Sequence, residues 1–317
     1  MRGKEGSEGI RGIATWNTEL DAAYAFRTLL ATHSALQLVH IKDPAANLQL
    51  ALNLFSQAAA TQAGRARIAL AGGLIDLPGW FDPRLPEPAP NDFVARAAAQ
   101  ASWESRADFA FAFQHRAELE QRAGGNPSWN TGVDYRRMLS MSPDLAEVTA
   151  LYRGAGLDLD GDLRALARGA RVKADPPAAR YLDRYVSLDG NLKIPVLTVH
   201  TTGDGLVIPP NESAYAAAVG AAGKSGLLRQ LYVHRAGHCV FTSAETIAAF
   251  QLLIERLARG SWDDNASKPA ALNATAQSQG EAVNSFFGIH AAPAFIDFTP
   301  APYPRPFAKG SVIPSFA

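Results

Sequence analysis

Ile194-Pro195-Val196-Leu197-Thr198-Val199-His200-Thr201-Thr202-Gly203-Asp204 is the stretch on which the reading of the fold turns. Up to Thr201 it is β-branched and apolar on both faces, as in a strand covered on both sides within a parallel sheet. Pro195 is tolerated near the start of such a strand. A tight Gly turn then ends on a carboxylate. Leu231-Tyr232-Val233-His234-Arg235-Ala236-Gly237-His238 repeats the pattern and ends on an imidazole. Between the two, Pro209-Pro210 opens a helix through Val219, and Leu228 to His234 forms the second strand. Thr242 with Glu245 makes a capping box for a helix to Leu257. This strand, loop, helix order, given twice, predicts a doubly wound α/β sheet.

In open α/β sheets reactive side chains sit on loops beyond the carboxyl ends of strands. Asp204 and His238 both take that position. A buried carboxylate that accepts the proton of one ring nitrogen fixes the histidine tautomer. The other nitrogen is then free to take a proton from a nucleophile. Gly203 and Gly237 let the backbone turn sharply enough to present the two side chains. Either residue alone could equally be a turn cap or a packed loop residue, and it is the ordered pair that favours catalysis.

The rest of the chain reads differently. Residues 13–187 are almost entirely helical. Thr18 with Asp21 is expected to box a helix through Leu30, and Asp43 to cap one that begins at Pro44. Further helices are expected from Gly64 to Leu77, from a cap at Asn91 to Arg122, and from Pro143, Asp162 and Pro176. Asp158, Asp160 and Asp162 alternate as in a calcium loop, but Leu163 and Gly169 stand where that loop needs Gly and Glu, so Asp162 reads as a helix cap. Residues 1–12 read as a disordered or remnant N-terminus, 13–187 as a helical lid, 188–262 as the α/β portion, and 263–317 as a Pro-rich extended tail docked by its aromatics.

The 317 residues are 47% apolar with zero formal net charge and no basic block, which argues against a nucleic-acid partner, since phosphate binding needs a clustered positive surface. No apolar run is long enough to span a bilayer, and residues 1–9 lack the apolar core of a signal peptide. The single cysteine, Cys239, excludes an internal disulfide framework and a cysteine-built zinc site. Cys239 reads as a small buried side chain with no base arranged for it, and His200 and His234 as strand residues held by packing or a local hydrogen bond rather than as metal ligands. No cofactor is called for. Trp80, Phe81, Trp103, Phe109, Phe111, Phe113 and Trp129 read first as core, and as an acyl pocket second.

Residues 188–260 resemble the α/β-hydrolase superfamily, in which an acid follows the penultimate core strand and a histidine the last strand, before a C-terminal helix. Gly203-Asp204-Gly205-Leu206-Val207-Ile208-Pro209 is similar to that family's acid loop, and the helical stretch before it to an inserted lid. The resemblance implies the C-terminal part of an α/β-hydrolase fold, with an incomplete parallel sheet and a large helical lid. It also implies a serine hydrolase acting on an ester or other acyl substrate with an apolar part, with Asp204 and His238 catalytic. The sequence departs from the family in two respects: it contains no Gly-X-Ser-X-Gly elbow, and it lacks the oxyanion-hole loop that the family places after an early strand. Ser7 lacks the first Gly and a preceding strand, and Ser225 falls between acid and histidine, out of order. The chain is therefore expected to lack the nucleophile, to be inactive alone, and to self-associate or take a partner chain that completes the sheet. The rival readings are a non-catalytic helical binding protein with a degenerate hydrolase remnant, and one half of a split hydrolase.

Overall fold

A computed structural model describes residues 9–305; Ser7 lies outside them. The chain is a mixed α/β protein, mostly helical, with short strands in small sheets. Gly9–Ile10 (β1) pairs in parallel with Ser187–Leu188 (β2), so the helical portion starts and ends at one ladder. Between them run helices Thr18–Leu30 (α1), Pro44–Ala59 (α2) and Gln62–Leu74 (α3). Phe93–Trp103 (α4) and Arg116–Ala123 (α5) follow, then Tyr135–Met141 (α6), Leu145–Gly154 (α7), Leu159–Arg168 (α8) and Pro176–Val186 (α9). Among the described residues no helix is long and apolar enough to cross a membrane.

Local chemistry explains most of the helix boundaries. The Asp43 side chain accepts from Ala46 N at 3.0 Å, with Pro44 at the first helical position. The expected Asn91 cap is instead Asp92, which accepts from Ala95 N. The helix that follows is continuous to Gly124, whose left-handed φ of 74° ends it. Two wider π turns, Glu104–Asp108 and Phe111–His115, interrupt it. Asp162 caps nothing: it lies inside α8 and accepts from Arg67 Nε at 2.7 Å.

The capping box expected at Thr18 and Asp21 does not form. Distant residues claim both side chains. The Thr18 hydroxyl bonds the Tyr303 hydroxyl. Asp21 accepts from Tyr135 Oη at 2.8 Å and pairs with Arg305 at 2.7 Å. Arg305 also donates to the carbonyls of Asn17 and Trp129.

Strands Val196–Gly203 (β3) and Leu228–Ala236 (β4) are parallel neighbours, joined through helix Pro210–Ala221 (α10). Helix Ser243–Arg259 (α11) follows, then Pro269–Gln277 (α12), the hairpin Ser285–Phe286 (β5) and Ile289–His290 (β6), and strand Phe295–Ile296 (β7). β7 pairs antiparallel with β4, giving the order β3-β4-β7. The region from 263, expected to be extended without regular structure, thus supplies a helix, a hairpin and the sheet's third strand. Phe295 explains the difference, since it is buried with Leu231, Val233, Leu252 and Leu272 and so fixes the register of β7. The capping box of α11 forms as expected, with Thr242 and Glu245 exchanging both hydrogen bonds.

A cluster of carboxyl groups sits under the segment that joins α3 to α4. Burial, and then the neighbouring Asp144, push Asp76 up to about 7. The same two causes push Glu147 to about 7, against the pull of Arg96. A carboxyl whose folded pKa is raised gives stability that is full below its unfolded pKa and is lost as pH rises through the folded one. Asp76→Asn removes that penalty. It should raise the melting temperature at pH 8, by about 1–3 kcal/mol in stability, and leave it unchanged at pH 4. Equal shifts at both pH values would refute the assignment.

Candidate active site

Asp204 leaves the end of β3 at a register shift between Thr201 and Gly203. A Cβ on Gly203 would come within 2.9 Å of the Ala236 Cα, so only glycine lets the two strand ends approach this closely. The carboxylate is buried. Its Oδ1 accepts from Leu206 N and Val207 N at 2.8 and 2.9 Å. Its Oδ2 faces His238 Nδ1 at 2.8 Å. Three donors thus fix the acid in one rotamer.

Backbone reversals place His238. Gly237 has φ 95°, and a Cβ there would strike Val240 Cγ2 at 2.6 Å. Its N–H donates to the Gly203 carbonyl at 3.0 Å, and its own carbonyl accepts from Thr201 Oγ1 at 2.5 Å. The histidine loop is therefore tied to the end of the acid strand from both sides. The hydrogen bond to Asp204, and secondarily the contact with Cys239, raise His238 to about 10. A carboxylate acts this way by favouring the charged imidazole.

Cys239 differs from its expected place. It is exposed, with a left-handed φ of 49°, and its Sγ lies 3.5 Å from His238 Nε2. The chain reversal that presents His238 swings the next side chain back over the ring. The group that faces the Cys239 thiol is therefore His238 itself. Among the described residues, no serine or threonine hydroxyl bonds Nε2. His200 packs below the acid, its Nε2 4.0 Å from Asp204 Oδ2. His234 lies outside this cluster, facing Glu87 at 3.5 Å and with its ring tilted against that of Trp80.

His238 forms one wall of a cavity of about 730 Å³. Phe81, Arg84, Trp103, Arg106, Phe287 and Ile289 also line it. Of the aromatics singled out in the sequence, Phe81 and Trp103 reach this cavity. Phe109 and Phe113 pack instead with Phe26 in the helical core, and Trp129 lies in a separate cluster with Trp16. Trp103 rests on the acid loop so closely that a Cβ on Gly205 would come within 2.2 Å of its ring. Sequence reasoning missed Arg84, Arg106 and the hairpin residues. Arg84 falls in the proline-broken segment and Arg106 within the long helix, where no local pattern marks a site, and the local signal for the hairpin was Phe287-Gly288, at φ 48° and 75°.

The chain resembles an amidase. It is 31% identical over 241 residues to the o-phthalyl amidase of Xanthobacter agilis, a match covering 74% of this chain and 52% of that protein. The chain thus spans about half the length of the curated relative it matches. No protein-family model matches it, and no solved structure does.

Proposed function

We propose that this chain carries the acid and base of a hydrolase that cleaves an amide or ester bond of an aryl acyl group, built on the C-terminal part of an α/β-hydrolase fold. The 2.8 Å contact between Asp204 and His238 at adjacent strand ends carries the reading, and the amidase relative points to the same chemistry. In this mechanism Asp204 holds the Nδ1–H of the imidazole. Only the neutral form of His238, the minority below about pH 10, takes the proton of an attacking hydroxyl at Nε2 as the nucleophile adds to the carbonyl carbon. It then gives that proton to the leaving nitrogen as the C–N bond breaks. Water repeats the cycle on the acyl intermediate.

The nucleophile in this proposal is a serine on polypeptide other than these 317 residues. Two features favour such a supplement. Among the described residues β3 is an edge strand, with Ile194 68% exposed just before it. Helix α11 also shows an exposed apolar stripe of Phe250, Ile254 and Leu257. A further strand and helix carrying the serine would cover apolar surface of this kind. The helical portion, residues 13–187, acts as the lid over the site.

The test is hydrolysis of a 2-carboxybenzoyl anilide. This chain alone should leave it uncut. The product of the reading frame extended upstream of Met1 should cut it, and His238→Ala should lower its kcat/KM by about 10⁴-fold. Undiminished turnover in that variant would remove the catalytic reading in favour of a binding role. Turnover by this chain alone, blocked by a serine-directed phosphonate, would overturn the proposed origin of the nucleophile.

A further inference from the structure

The cavity beside His238 is not simply apolar. Trp103, Arg106 and Ala107 share one helix face and line it together. The Phe81 ring meets Trp103 edge to face at 4.9 Å, and the Arg106 guanidinium lies 5.5 Å from the centre of the Phe81 ring. Arg84, the cavity's other arginine, is already neutralised. It grips Asp82 through two bonds of 2.8 and 2.6 Å. Arg84 above all, and Arg106 to a lesser degree, hold the Asp82 carboxyl at about 2, so the acid stays ionised and committed. Among the described residues no acidic side chain forms an ion pair with Arg106. The wall therefore presents one exposed guanidinium outside any ion pair beside two aromatic faces, in the same cavity as the imidazole and the Asp82 carboxylate that Arg84 holds.

We infer that Arg106 is the residue that anchors the carboxylate of the 2-carboxybenzoyl type of substrate proposed above. This rests on the hydrolase reading and names a positioning residue of that site. A flat ring lies against Phe81 and Trp103, its carboxylate takes the guanidinium fork, and the acyl carbon is left facing His238. The guanidinium suits the task because its parallel N–H donors match a carboxylate. Arg106 is a positioning residue, remote from the bonds that change. A cavity of this size is within the range of small-ligand sites.

The test is binding, so it needs no turnover. Phthalate and the uncharged benzamide are titrated into this chain by ligand-observed NMR, using the native protein, Arg106→Gln and Arg106→Lys. Arg106→Gln should weaken phthalate by about 10- to 100-fold, the loss of one charge-assisted pair, and leave benzamide unchanged. Arg106→Lys should fall between, since it keeps the charge and loses the fork. Melting curves establish that each variant is folded. Equal phthalate affinity in native and Arg106→Gln proteins, parallel loss of both ligands, or no phthalate binding to the native chain would each overturn the inference. None of these results depends on His238 as a base, so the failure of one reading is visible apart from the other.

Discussion

Asp204→Asn should drop the titration of His238 from about 10 by two units or more, toward that of an ordinary histidine. The hydrogen bond from the carboxylate is the leading cause of the raised value. Asn keeps an oxygen for the Leu206 and Val207 amides, so the loop should survive. It presents no charge to Nδ1, and its amide can offer a donor where an acceptor is needed. The imidazole Cε1 proton, followed by NMR against pH, reads this on the chain alone. Stability should follow in a definite direction. A histidine raised in the folded state stabilises it below pH 6.5, and that stabilisation disappears as pH rises through about 10. The variant should therefore be weaker by about 2–3 kcal/mol at pH 7 and match the native chain above pH 10. In the assembled hydrolase the wrong tautomer should lower kcat by about 10⁴-fold. An unmoved His238 titration would break the link between the two residues.

Arg235→Ala should be the most damaging change to the fold around the site. The Arg235 and Glu245 side chains are both buried and pair through two bonds of 2.7 and 3.0 Å. Arg235 also donates to the carbonyl of Val240 and lies over the Phe286 ring at 4.9 Å. Glu245 in turn accepts from the backbone of Thr242 and of Ala294. One ion pair therefore secures the loop after His238, the start of α11 and the approach to β7. Truncating the arginine leaves a buried carboxylate uncompensated, which costs about 3–5 kcal/mol. Urea unfolding of the variant reads this directly. Arg235→Met combined with Glu245→Met should recover much of the loss, because no stranded charge remains. A single-variant loss below about 1 kcal/mol would show that the carboxylate finds another partner.

What could be read from the sequence was whatever local geometry decides. Asp204 and His238 each follow a strand and a glycine, and that pattern alone puts both on one rim. Thr242 and Glu245 are three residues apart and close their box without help. Thr18 and Asp21 have the same spacing but open no box, because Tyr303 and Arg305 take their side chains. Arg235 reads as an ordinary strand residue, since its importance comes from Glu245 on the next helix. Arg106 sits within the long helix, where no local pattern sets it apart from other charged residues. Phe295 and Ile296 are too few to announce a strand, and only the β4 edge makes them one. Wherever the deciding partner was far along the chain, the sequence pattern pointed to the wrong element or to none.

The contact between Thr18 and Tyr303 joins positions 285 residues apart, and the ion pair between Asp21 and Arg305 lies beside it. During synthesis the first long helix emerges early, with a carboxylate destined for the interior and no cation to meet it. Its counter-ion is translated some 284 residues later. A nascent chain can thus hold this helix only loosely until Arg305 has emerged. Protease resistance of the first helix should therefore appear with the emergence of Arg305 rather than with its own.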